Sequence, residues 1–110
     1  MRAGTAGAAT IAALGIAALG IAALGTAAAA DDGARGRALA ERWCVGCHVI
    51  APEATGGDIG PSFASVANRE GQTLGGITAW LFEPHPPMPD LQLSPAEFND
   101  LAAYIMSLQE

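Results

Sequence analysis

The stretch WCVGCHVI, residues 43 to 50, contains both cysteines of the 110-residue chain and one of its two histidines. Cys44 and Cys47 are three positions apart, and His48 follows the second cysteine directly. Such a pair can form a disulfide, exchange thiols, bind a metal ion or attach a cofactor covalently. The remainder of the sequence decides among these four chemistries.

The first 30 residues differ in composition from everything that follows. A short positive start (Met1-Arg2) precedes a run from Ile11 to Leu24 made only of Ile, Ala, Leu and Gly. Ala28 and Ala30 then form an A-x-A pattern before two aspartates. Together these features indicate a secretory signal peptide. We therefore expect residues 1–30 to direct export, and residues 31–110 to form a single exported domain.

An uncleaved anchor is the alternative for this segment. The stretch from Ile11 to Ala30 is just long enough to span a bilayer. Its richness in alanine and glycine makes it a weak span, and the A-x-A pattern favours cleavage.

The charge of residues 31–110 is strongly acidic. All eleven acidic residues lie there and the chain has no lysine, so the segment carries −7, one unit below the −6 of the whole chain. This charge argues against binding to nucleic acid or to anionic membrane surfaces. It permits steering toward a basic protein partner, although acidic charge can also serve solubility alone.

A helix is predicted at the end of the chain. Ser94 and Glu97 form the S-x-x-E capping box, and Pro95 occupies the first helical position. Apolar residues then recur at helical spacing, so the helix should run from Pro95 to about Leu108.

Three further helices are predicted, and strand patterns are nearly absent. The first should run from about Gly33 into the cysteine motif, and short ones should span roughly 62–68 and 77–82, with Pro84 ending the last. The sequence therefore predicts an all-α domain with long loops. It has little regular structure for its size, and a large cofactor could complete its core.

The cysteine motif itself indicates haem attachment. Thiol exchange requires a preceding strand, structural zinc requires four ligands, and a disulfide leaves His48 unexplained. C-x-x-C-H is the attachment signature of c-type haem. Thiols one helical turn apart can add to the two vinyl groups along one haem edge, while His48 becomes the proximal iron ligand.

The second axial ligand has three candidates. Met88 is flanked by Pro86, Pro87 and Pro89, which reduce the entropy lost on placing its thioether. His85 would give bis-histidine ligation, and Met106 lies on the last helix, where methionine is usually packing filler. The pattern favours Met88, with His85 second; an iron without a second protein ligand is the remaining alternative.

Residues 33–110 resemble a small class I cytochrome c of the bacterial periplasm. Cys44, Cys47 and His48 match the haem-binding motif, and PPMPDLQLSPAEF resembles the family's methionine loop and last-helix start. The resemblance implies the cytochrome c fold, with about four short helices and long loops wrapped around one covalently bound haem c. It also implies a periplasmic location.

Further roles follow from the same resemblance. The Pro61 carbonyl would accept a hydrogen bond from His48, Arg69 would pair with a haem propionate, and Trp80 would pack against the haem on the Met88 side. The first helix would cross the last at four residues: Gly36, Ala40, Leu101 and Tyr104. The family's docking lysines are absent from this chain.

With His48 and Met88 on the iron, no position remains for a substrate, so we expect a one-electron carrier rather than an enzyme. It should shuttle electrons between redox proteins as a monomer, without stable membrane insertion once the signal is cleaved. Docking is expected around Val45, Gly46, Pro86 and Pro87. The alternatives are a haem subunit of a periplasmic dehydrogenase, or a gas-binding or peroxidase-like haem protein in which Met88 is off the iron.

Overall fold

The computed structural model describes Gly4, Gly7, residues 19–83 and residues 85–110, with side-chain detail from residue 31 onward. Four helices follow in order: α1 (Leu19–Trp43), α2 (Phe63–Ala67), α3 (Leu74–Phe82) and α4 (Pro95–Met106). In this part of the chain, extended pairing is limited to an isolated bridge between residues 49 and 56. The all-α prediction is therefore confirmed.

The predicted signal peptide lies largely outside the described residues, as does Pro84, the predicted end of the third helix. α1 begins at Leu19 rather than near Gly33 and continues through Ala30. Alanine, the strongest helix former, is the commonest residue between positions 19 and 30. Among the described residues, no helix is long and apolar enough to cross a membrane.

α3 also begins earlier than predicted, at Leu74 instead of Ile77. Gly75 and Gly76 weaken the helical pattern at this point, because glycine costs close to 1 kcal/mol in a helix relative to alanine. The Thr73 side chain compensates by accepting a hydrogen bond from the Gly76 N–H across 3.0 Å. The predicted start was therefore wrong because the threonine cap was overlooked.

α4 begins as the sequence predicts. The Ser94 hydroxyl accepts from the Glu97 N–H across 3.2 Å, and the Glu97 carboxylate accepts from the Ser94 N–H across 2.7 Å. Both halves of the capping box are present, with Pro95 in the first turn. The helix ends at Met106, two residues before the predicted end.

α1 crosses α4 at Gly36 with almost no space between the backbones. A Cβ atom at Gly36 would collide with the carbonyl group of Asp100 and lie 2.7 Å from Cβ of Tyr104. Ala40, one turn further along, is completely buried. Arg35 adds an ion pair to Asp100, with Nε 3.0 Å from Oδ2. Small residues on α1 therefore allow the close crossing that the resemblance implied.

The loop that follows the cysteine motif is held by both long helices. The Tyr104 hydroxyl on α4 donates to the buried carbonyl oxygen of Ile50 across 2.6 Å. Arg37 on α1 donates through Nη2 to Oε1 of Glu53 across 2.6 Å. These contacts fix the backbone just after His48, so the helix crossing also positions the motif.

Candidate cofactor site

A cavity of about 530 Å³ lies among the cysteine motif, α2, α3, the proline-rich loop and α4. This volume is within the roughly 300–1,000 Å³ of cavities that hold small molecules and cofactors. Most of the wall is apolar. The seven residues to which the sequence analysis gave a haem-binding role all line it: Cys44, Cys47, His48, Pro61, Arg69, Trp80 and Met88.

His48 is held with one ring nitrogen available for a metal. Its Nδ1 lies 2.6 Å from the Pro61 carbonyl oxygen. Because a carbonyl only accepts hydrogen bonds, Nδ1 carries the hydrogen, and Nε2 of the neutral ring keeps its lone pair. The contact that the resemblance implied between His48 and Pro61 is present.

Two neighbours restrict the His48 ring further. A Cβ atom at Gly60 would lie 2.7 Å from Nδ1 and 2.9 Å from Nε2, so this position leaves room only for glycine. The Phe63 ring packs on the other side, with centroids 5.4 Å apart. The imidazole orientation is therefore fixed by backbone and aromatic contacts together.

The two cysteines lie on one turn beyond the end of α1. The backbone N–H groups of Cys47 and His48 both donate to the Cys44 carbonyl oxygen, across 3.1 and 3.0 Å. Both thiols are free; Cys44 is buried and Cys47 is exposed. The turn presents the two thiols and the imidazole to the same cavity.

The environment of Cys44 does not suit thiol exchange. Burial raises the pKa of its thiol to about 11, and the neighbouring Cys47 adds to the increase. A thiol-exchange cysteine requires a lowered pKa, because the thiolate is the nucleophile. Across the described residues, no group of three or more His, Cys, Asp or Glu side chains is arranged to hold a metal ion.

Met88 and His85 lie on the cavity wall together, whereas Met106 does not line the cavity. Met106 packs instead against the hydrophobic core. Nε2 of His85 lies 2.9 Å from Sδ of Met88. Of the three candidate ligands, Met88 and His85 therefore line the same cavity as His48, whereas Met106 packs against the core.

The cavity margin carries large apolar side chains that sequence reasoning did not assign to the site. Ile59 is 77% exposed and Trp43 is 50% exposed, and both line the cavity beside Trp80, which is 56% exposed. Ile59 directly precedes the Gly60-Pro61 pair, and this position in the sequence could have indicated that it belongs to the site. Val66 and Gln72 also line the wall but belong to no recognisable motif, whereas Leu91 lies in the stretch that resembles the methionine loop.

The donor set fits a covalently bound haem. Two thiols on one turn, an imidazole with Nε2 available and a thioether all border one apolar cavity. Gly60 provides the space that the histidine ring needs, and the apolar wall suits a porphyrin face.

Comparison with known proteins agrees with this fit. Residues 33–109 match the family model described as cytochrome c. The chain is 46% identical over 81 residues to cytochrome c-552 of Bradyrhizobium diazoefficiens, an alignment that covers 73% of this chain and 78% of that protein. It is 35% identical over 83 residues to a cytochrome c-553-like protein of Synechocystis, covering 70% of each. No solved structure matches the chain significantly.

Proposed function

Because this chain belongs to the cytochrome c family and is therefore a haem electron carrier, we propose that it moves single electrons between periplasmic redox proteins. The observation that carries the proposal is the convergence of Cys44, Cys47, His48 and Met88 on one apolar cavity. When bound, haem supplies reversible one-electron chemistry at its iron. The chain's own residues then determine how the group is held, oriented and exposed.

We assign attachment of one haem to Cys44 and Cys47. Their thiols lie on the single turn that the hydrogen bonds to the Cys44 carbonyl define. Burial raises the pKa of the Cys44 thiol to about 11, so its thiolate fraction at neutral pH is smaller than that of an ordinary exposed cysteine.

His48 and Met88 are the proposed axial ligands. Pro61 fixes the tautomer of His48, which leaves Nε2 as the metal-binding atom. His/Met ligation raises the reduction potential relative to bis-histidine ligation, and the apolar wall acts in the same direction by disfavouring the more positive oxidised state. With both His48 and Met88 bound to it, the iron would have no open position for a substrate.

Arg69 and Trp80 complete the proposed binding set. Arg69 is an exposed cation on an otherwise mostly apolar wall, which suits pairing with a propionate. Trp80 borders the cavity beside His85, with ring centroids 4.8 Å apart, and offers a flat apolar surface on the Met88 side.

Partner docking is proposed at the edge formed by Val45, Gly46, Pro86 and Pro87. Pro86 and Pro87 are exposed and line the cavity, and Gly46 is exposed beside the cysteine turn. The interfaces of electron-transfer complexes are small and bind weakly, so a small exposed edge such as this one is sufficient for docking. The acidic surface suits a basic partner.

Export is part of the proposal. Residues 1–30 serve as a signal peptide that is removed near Ala30, leaving residues 31–110 as a periplasmic domain. The comparison supports this division, because the family match begins at residue 33.

The first experiment measures the mass and the ferric absorption spectrum of the exported protein. We expect one covalent haem on a chain that starts after Ala30, and a methionine–iron charge-transfer band that disappears in Met88→Ala. Met106→Ala is the matched control and should keep the band. A high-spin spectrum in the wild type would contradict the carrier and favour the gas-binding or peroxidase-like alternative.

The second experiment tests the docking edge. Gly46→Lys should slow electron transfer to a basic redox protein without changing the spectrum, since a Cβ atom at Gly46 would meet no other atom within 4 Å. Ala38→Lys adds the same charge at an exposed position of α1 that does not line the cavity. Equal rates for the two variants would refute docking at this edge. Copurification with a dehydrogenase would instead identify a complex subunit.

A further inference from the structure

The side chains of His85 and Met88 meet on the wall of the cavity that also contains His48. Nε2 of His85 lies 2.9 Å from Sδ of Met88, and both residues are half-buried. The Met88 N–H donates to the His85 carbonyl oxygen across 3.2 Å, so the two residues close one turn. Two metal-binding atoms are therefore presented at the same part of the wall.

The His85 ring is oriented by contacts that leave Nε2 directed at the sulfur atom. Its Nδ1 lies 2.7 Å from the Glu83 carbonyl oxygen. Since that oxygen can only accept, Nδ1 carries the hydrogen. The neutral ring then has its lone pair on Nε2, which can bind a metal but forms no hydrogen bond with the thioether sulfur, because that sulfur is also only an acceptor. The Trp80 ring packs against the imidazole at 4.8 Å. His85 thus resembles His48 in one respect: a backbone carbonyl contacts Nδ1 and leaves Nε2 as the nitrogen able to bind a metal.

We propose that His85 is a second axial ligand, which takes the position of Met88 whenever the thioether leaves the iron. This inference rests on the proposed function, in which Met88 holds that position first. Only one of the two donors can occupy it. Because Nε2 already contacts the sulfur atom, the exchange requires movement within the 85–88 turn and leaves the helices in place.

The exchange has a defined consequence. Loss of the thioether from a chain without His85 leaves an open iron position that small molecules can enter. With His85 as replacement the iron keeps two protein ligands, and its potential falls because bis-histidine ligation favours the oxidised state relative to His/Met. The chain would remain a closed electron carrier of lower potential.

A structural role for His85 is the competing explanation. The hydrogen bond to Glu83 and the contact with Trp80 could serve only to close the loop. If His85 only closes the loop, its removal lowers stability, but Met88→Ala and the double variant have the same spin state. The spin state therefore separates the two roles.

The test compares four exported, haem-loaded full chains: wild type, Met88→Ala, His85→Ala, and the double variant. We expect ferric Met88→Ala to be low-spin without the methionine–iron band, and to have a lower reduction potential than the wild type. The double variant should be high-spin. It should also bind added imidazole at least tenfold more tightly than Met88→Ala, in which His85 competes for the iron.

Two results would overturn the inference. A high-spin Met88→Ala that binds imidazole as tightly as the double variant would show that His85 does not reach the iron. A wild-type spectrum that lacks the methionine band and becomes high-spin in His85→Ala would make His85 the first ligand. That second result also refutes Met88 ligation, whereas the first leaves the proposed function intact. If Met88→Ala fails to load haem, Met88→Leu retains the apolar volume and gives the same comparison.

Discussion

Nδ1 of His48 lies 2.6 Å from the carbonyl oxygen of Pro61, thirteen residues further along the chain. This hydrogen bond joins the cysteine turn to the loop before α2 and leaves Nε2 of the ring for the proposed bond to iron. Gly60, immediately before the proline, is the residue that lets the carbonyl and the ring approach.

Gly60→Ala should disturb the cofactor site around His48 and leave the rest of the fold unchanged. The new methyl group would lie 2.7 Å from Nδ1 of His48, so the ring must move. Overpacking of this kind typically costs about 1–3 kcal/mol. We expect a lower free energy of unfolding together with a changed ferric spectrum, measured by denaturant titration and absorbance.

Gly75→Ala is the matched control for that substitution. A Cβ at Gly75 meets nothing within 4 Å, and the residue lies inside α3. Alanine there should stabilise the protein by up to about 1 kcal/mol and leave the spectrum unchanged. Similar behaviour of the two variants would show that Gly60 does not control the His48 ring.

Gly36→Ala should weaken the crossing of α1 and α4. Its Cβ would collide with the Asp100 backbone, which cannot rotate away as a flexible side chain can. We expect a loss of about 1–3 kcal/mol in the free energy of unfolding. Gly33→Ala, on the same helix with nothing within 4 Å, should be neutral or stabilising. A stable Gly36→Ala would contradict the close crossing.

Tyr104→Phe removes one hydroxyl from the core and leaves the buried Ile50 carbonyl without its 2.6 Å partner. An unsatisfied buried acceptor costs about 1–3 kcal/mol. Ser65→Ala also removes a hydroxyl that donates to a carbonyl, but at an exposed position, and should change stability by less than about 0.5 kcal/mol. Thermal and denaturant unfolding of the two variants measure the difference. Equal losses in the free energy of unfolding would show that the Tyr104–Ile50 hydrogen bond contributes no more than an exposed one.

The Arg37–Glu53 ion pair should add a pH dependence to stability. The hydrogen bond from Arg37 lowers the pKa of the Glu53 carboxyl. A carboxyl with a lowered folded pKa stabilises the fold above its unfolded pKa of about 4.3, and this contribution disappears as pH falls through the folded pKa. Glu53→Gln should therefore be less stable than wild type at pH 7 and equal to it in strong acid.

Salt should reduce the same difference, because both side chains are exposed. Glu70→Gln is the control, since Glu70 is not in any of the four ion pairs among the described residues. A pH profile of Glu53→Gln parallel to that of the wild type would exclude a contribution from this pair.

The amino-acid sequence alone was enough to predict local features. The capping box at Ser94 and Glu97 depends on residues three positions apart, so it could be read directly and is present in α4. The C-x-x-C-H motif is equally local, because one turn sets the spacing of both thiols and His48. These short-range patterns, with the scarcity of strand signals, predicted an all-α domain, and the resemblance to small class I cytochromes c implied the particular fold.

Only the tertiary structure decided which distant residues share the cavity. Ile59 and Val66 carry no motif, yet they line the same wall as Met88, because loop and helix packing brings them together. The sequence indicated Met106 and His85 as alternatives to Met88; in the folded chain Met106 packs against the core, and His85 contacts the sulfur atom of Met88. The physical reason is the separation along the chain over which each interaction acts. Capping and turn formation depend on residues a few positions apart. Cavity walls and ligand contacts depend instead on which distant surfaces the helix crossing brings within a few ångströms of one another.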